Sequence, residues 1–356
     1  MRISSTLLLL VAGCGRLGFD GIEPGDNMMN GVDPMSALAP AQCEATGSLG
    51  TPSSPDVDLA VATTPTGASL FWVAIAGGSL RGVDLGTDRI ATPITTIVTG
   101  SFTESSAAYL DGHLLATGLT GSRSLVQDVP QPIAAGVEIG NFGGDHVAKS
   151  NLVHAGPDRV LATSCSDVQY HSFDASWAGM ESTYSYSSPQ TDHVDITQVG
   201  ARALTVISTG TQCDYFVATN RSTSTTRSSQ ISCEGARMAS DGVDQIAMLV
   251  ETSGGDVALV IDATDTVSAA NALPIAVGSA PRVLRFDNRY WVTYVDPTGH
   301  IVIGFLDDTG MLLTRTLTDA TTTPRGYELA MFDGSPWVFA VDPGTSALYG
   351  RRLCAQ

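Results

Sequence analysis

The chain has 356 residues, a net charge of −18 and a single lysine, Lys149. So acidic a chain repels phosphate backbones, which argues against nucleic-acid binding. Its 43% apolar content still supplies a sizeable core, while only 15% of residues are charged. Ser, Thr and Gly fill the gap, the composition of a strand-and-turn protein exposed outside the cell.

In chain order, Arg2 is followed by an apolar run from Leu7 to Ala12, then Gly13 and Cys14. A basic start, a short apolar stretch and small residues describe a signal peptide. The run is too short to span a bilayer, which needs about 20 apolar residues. Val11-Ala12-Gly13-Cys14 resembles the lipobox of bacterial lipoproteins. The resemblance implies that residues 1–13 are removed and that the Cys14 thiol carries a lipid anchor to the membrane. Gly15 stands where some family members carry an inner-membrane retention aspartate, so an outer-membrane location is expected. Residues 14–40 are rich in Gly, Pro, Asp and Asn and keep no strand or helix period. They read as a flexible tether, because such a segment buries too little apolar surface to offset its ordering entropy.

Residues 41–356 form the body. A turn followed by an apolar strand recurs seven times, with equivalent strand positions at Trp72, Leu114, Leu161, Leu204, Ala247, Trp291 and Trp337. These are spaced by 42, 47, 43, 43, 44 and 46 residues. An even step of this length, with four strands in each repeat, is the pattern of propeller blades. The expected fold is therefore all-β, a seven-bladed β-propeller with four antiparallel strands per blade. The sixth repeat shows the strands plainly: Arg282 to Phe286, Tyr290 to Val295, Ile301 to Leu306 and Met311 to Leu317. Asp287-Asn288, Asp296-Pro297-Thr298-Gly299 and Asp307-Asp308-Thr309-Gly310 supply the turns between them. Trp72, Trp291 and Trp337 share one place in the repeat and are expected to pack between blades.

The seventh repeat has only three strands: Tyr327 to Phe332, Trp337 to Val341 and Ala347 to Leu353. Residues 41–50 have no other assignment and are expected to complete it, closing the ring. Cys43 and Cys354 would then be neighbours on antiparallel strands. A disulfide there would close a loop of roughly 310 residues, which the chain-entropy model values at about 5 kcal/mol. With Cys14 set aside, five cysteines remain, so one stays unpaired. Cys213 and Cys233 bound the third and fourth strands of the fourth blade and can face each other. Cys165 with Cys213 is the alternative. If Cys213 pairs with Cys233, Cys165 is a free thiol.

The starts of the inner strands place an arc of polar residues around the central mouth. They are Asp56, Asp58, Glu104, Asp145 with His146, Asp192 with His193, Arg237, Arg282 and Arg325. The first four blades offer acids and the last three offer arginine. Of these, Asp145, His146, Asp192, His193, Arg237, Arg282 and Arg325 form the candidate ligand-binding set. The Asp-His-Val triplets resemble the Gly-His pair of WD-repeat blades, which would make both histidines structural. The arginines could equally pair with acids between blades. No phosphate-cradling loop, CxxC or HExxH pair, or GxSxG elbow occurs, so neither metal nor cofactor is expected. Three roles stay open at this point. One is a monomeric surface module binding glycan, peptide or an envelope protein without catalysis. Another is a hydrolase or lyase acting on extracellular carbohydrate through the central pocket. The last is a structural subunit of an envelope assembly.

Overall fold

The computed structural model describes residues 44–353 except 76, 121–122, 144–145, 148–151, 165–166, 175, 178, 188–193, 209–212, 221–222, 229–234, 244–245, 252–256, 262–270, 274, 276–279 and 307–311. The leader, the tether, Cys14, Cys43, Cys165, Cys233 and Cys354 lie outside the described residues.

Seven antiparallel sheets follow one another along the described chain, over residues 57–102, 104–143, 146–187, 194–228, 235–272, 282–321 and 327–352. Five of them have four strands, paired in chain order. The third gains a fifth because its first strand comes in two pieces, His146–Val147 and Val153–Ala155, both paired with Asp158–Ser164. The seventh has three. Local chemistry sets the hairpins. Leu110 pairs with His113, Phe286 with Arg289 and Phe332 with Ser335. The two residues inside each of these turns have positive φ: Asp111-Gly112, Asp287-Asn288 and Asp333-Gly334. That conformation matches the twist of flanking strands, and Asp, Asn and Gly tolerate it best.

The seven repeat positions from Trp72 to Trp337 all fall on the second strand of their sheets. Trp72, Trp291 and Trp337 are buried between sheets, as expected. Trp72 shares an apolar cluster with Phe332, Trp337 and Phe339, which joins the first sheet to the seventh. Trp291 packs with Tyr327, Leu329 and Val338 between the sixth and seventh. Further clusters join the first to the second, the second to the third, the fourth to the fifth and the fifth to the sixth. The first, second, fifth, sixth and seventh sheets are thus apolar on both faces, which is why their second strands read as apolar runs.

The first strands of successive sheets are neighbours, and Tyr327–Phe332 of the seventh also packs against Val57–Thr64 of the first. Residues 44–50 run antiparallel along the open edge of Leu348–Arg352. Arg352 N donates to Glu44 O at 2.9 Å, Thr46 N to Gly350 O at 3.0 Å, Leu49 N to Leu348 O at 2.8 Å and Leu348 N to Gly50 O at 2.9 Å. Glu44 adds ion pairs to Arg352 at 3.2 Å and to Arg89. Slight burial would raise the Glu44 pKa, but the two guanidinium groups more than offset this and hold it below the usual carboxylate range. Cys213 is fully buried and disulfide-bonded, with its partner outside the described residues.

Candidate functional site

A cavity of about 220 Å³ sits among the first strands. Its walls come from six of the seven sheets, including Ala60, Ala107, Asp195, Arg237, Arg282 and Glu328. Four of these residues share one register. Leu204, Ala247, Trp291 and Trp337 pair with Thr197, Ala239, Leu284 and Ala330. Asp195, Arg237, Arg282 and Glu328 each precede those partners by two residues. Side chains two apart on a strand share a face. The repeat therefore sets one charged side chain from each of four successive sheets on the central wall.

The two lining acids are held by the protein. Asp195 is fully buried, and its Oδ1 accepts Ile196 N at 2.9 Å while its Oδ2 accepts Met238 N at 2.8 Å. The second bond stitches the fourth sheet to the fifth. Asp58 does the same between the first and second sheets, accepting Ser105 N at 2.6 Å. Glu328 Oε1 accepts Leu329 N at 3.2 Å, and Oε2 accepts Arg282 Nε at 3.1 Å.

The arginines differ. Arg282 is 4% exposed. Beyond Glu328 it donates through Nη1 to Ala280 O and Pro281 O, and it stacks 5.1 Å from the Tyr327 ring centroid. Burial alone would push its pKa down. The charge of Glu328, with Tyr327 and Asp58, outweighs that and raises it above the ordinary value. Arg325 lies on the loop before the seventh sheet, 3.7 Å from Asp58 and 3.6 Å from Glu104. Among the described residues Arg237 donates only through Nη1, to the carbonyl of its own neighbour, Ala236, at 2.9 Å. Its Nε is shielded from solvent and meets no acceptor.

Of the residues singled out from sequence, Arg237 and Arg282 line the cavity. Arg325, Asp58 and Glu104 form a separate cluster beside it, and Asp56 is exposed. His146 lies on an inner strand opposite Ser164. Asp145, Asp192 and His193 lie outside the described residues. Sequence reading passed over Asp195 and Glu328, which sit three residues after Asp192 and Arg325. The missing signal was register: counting back from the partner of each repeat position finds both. Among the described residues no group of three His, Cys, Asp or Glu side chains could hold a metal ion.

No protein-family model matches the chain, and no curated protein matches it. Solved structures do resemble it. Hydrazine synthase of Kuenenia stuttgartiensis matches at 13% identity and a TM-score of 0.59, over 87% of this chain and 99% of that one. The WD40 domain of Toxoplasma gondii coronin matches at 11% identity and a TM-score of 0.57, over 89% and 85%. BamB from Moraxella catarrhalis matches at 12% identity and a TM-score of 0.51, over 84% and 85%. Identities this low speak to architecture alone: the chain has a β-propeller fold, all-β and built from several four-stranded antiparallel sheets.

Proposed function

We propose that this chain is an envelope lipoprotein whose body is a seven-bladed propeller working as a non-catalytic binding module. In this reading Cys14 carries the lipid, residues 14–40 form the leash, and residues 44–50 supply the missing strand of the seventh blade. A Cys43–Cys354 disulfide clamps that strand, a second bridge joins Cys213 to Cys233, and the monomer faces glycan, peptide or an envelope partner at the outer membrane. The hydrogen bonds between residues 44–50 and Leu348–Arg352 support the closure.

The observation that carries the binding role is the central cavity, whose charged wall comes from inner strands of separate sheets. Among the described residues its lining holds no serine, cysteine, histidine or tyrosine to serve as a nucleophile. The two carboxylates that could do acid–base work, Asp195 and Glu328, each have both oxygens engaged by protein donors. They act as positioned acceptors. A hydrolase or lyase would need one of them released, so that reading stands second.

The test is binding of envelope glycans and peptides to the full chain carrying Cys14→Ala, compared with the same chain blocked by Ala107→Trp. Saturable binding that the blocked chain loses supports the module. Release of new sugar ends from the glycan would turn the assignment to a hydrolase. Incorporation of labelled palmitate by the wild-type chain and not by Cys14→Ala tests the anchor.

A further inference from the structure

We infer that the central cavity receives a small hydroxylated monocarboxylate, the chemistry of a sugar acid, with Arg237 as its docking cation. The inference rests on the binding-module reading and names its ligand class.

Three arginines come near the cavity, and two are already engaged. Arg282 spends Nε on Glu328 and Nη1 on Ala280 and Pro281. Arg325 is shared between Asp58 and Glu104. Arg237 lines the cavity, yet among the described residues it meets one carbonyl and no carboxylate within ion-pairing reach. A guanidinium carries five N–H donors in a planar fork that matches a carboxylate two bonds at a time. Arg237 is partly buried at the cavity wall, and a ligand carboxylate can accept from the donors of its fork that no described residue takes.

The other walls narrow the class. Asp195 and Glu328 bring two negative charges to the same cavity, balanced by Arg237 and Arg282. A singly charged ligand is repelled by these acids half as strongly as a doubly charged phosphate. The same carboxylates are acceptors for hydroxyl donors, which favours a ligand carrying hydroxyls near its acid group. The volume of about 220 Å³ equals roughly seven waters' share of the liquid. That holds one monosaccharide-sized molecule. The aliphatic wall of Ala60, Ala107 and Leu329 suits the apolar face of a sugar ring.

The experiment is calorimetric titration of the full-length protein with galacturonate, its uncharged methyl ester, galactose and inorganic phosphate, repeated on Arg237→Gln and Arg237→Lys. Galacturonate should bind, with the other three probes weaker by about tenfold or more. Arg237→Gln should weaken galacturonate by a similar factor, with Arg237→Lys between it and wild type. Equal binding of the methyl ester, tighter binding of phosphate, unchanged affinity in Arg237→Gln, or no binding of galacturonate would each overturn the inference. The ester comparison needs no variant, so it holds even if Arg237→Gln fails to fold. Galactose binding that Ala107→Trp abolishes would remove the carboxylate assignment and leave the module intact. No binding of these probes or of any envelope glycan or peptide would remove both.

Discussion

The junction between the seventh and first sheets and the junction between the fourth and fifth are packed from different materials. At the first, Trp72 meets Trp337, Phe332 and Phe339. Trp337 lies 5.1 Å from Phe332 edge to face and 6.1 Å from Phe339 in a stack. Residues 44–50 cover the adjoining edge. At the second, Met238, Met248, Val206 and Tyr215 pack together, and Asp195 reaches across to Met238 N. The difference follows chain connectivity. The fourth and fifth sheets are joined by a short segment between Thr223–Ser228 and Gly235–Ser240, so they are held at high effective concentration whatever they bury. The seventh and first sheets are the two ends of the body. Side-chain burial, the edge strand, the Arg325–Asp58 ion pair and the Leu59 N–Arg325 O hydrogen bond oppose their separation, and two of the chain's four tryptophans sit there.

Substitutions can break that comparison. Trp337→Ala should cost about 3–5 kcal/mol, the upper range for truncating a buried aromatic. It should also loosen the edge at Leu348–Arg352. Met248→Ala at the other junction should cost about 2–4 kcal/mol. Denaturant unfolding of both variants checks the order, and a larger loss for Met248→Ala would contradict the account. Asp195→Ala should cost about 1–3 kcal/mol, because it strands the buried Met238 amide. A crystal structure of that variant should show the fourth and fifth inner strands moved apart.

Acid should act more gently. Asp111 is desolvated enough to raise its pKa, yet Arg159, at 2.6 Å, and His154 lower it overall. Glu44 is lowered too, by Arg352 and Arg89. A carboxyl whose folded pKa lies below its unfolded one stabilises the fold above the unfolded value and loses that contribution as pH falls through the folded one. The thermal midpoint should therefore fall from about pH 5 to about pH 3. Glu44→Gln should remove the part of that fall arising at the edge strand, the smallest effect expected here, since both partners are half-exposed.

Much of this fold is legible in the sequence where turns are explicit. The sixth sheet, with Asp287-Asn288 and Asp296-Pro297-Thr298-Gly299, is read almost to the residue, and so is the first strand of the seventh, Tyr327–Phe332. Those turns need positive φ or a preset φ, and few residue types supply it. The third sheet is harder because its first strand is split around residues outside the described set, so no single apolar run marks it. The site was half legible. Arg237 and Arg282 stand at strand starts and were found there. Glu328 was missed because Arg325 lies three residues earlier, on the loop before Tyr327, and charge alone does not separate a loop residue from one on the inner face. Only register does that, and register depends on which residues pair across strands.

Hydrogen exchange of the native full chain, followed at the amides of Thr46, Leu49, Leu348 and Arg352, tests the central claim most directly. These four amides are predicted to be as protected as Val338 and Ala340 inside the seventh sheet, and to lose protection together when Trp337 is truncated. Exchange at the rate of exposed loop amides would mean that residues 44–50 do not complete the seventh sheet, and the proposed ring would stand open.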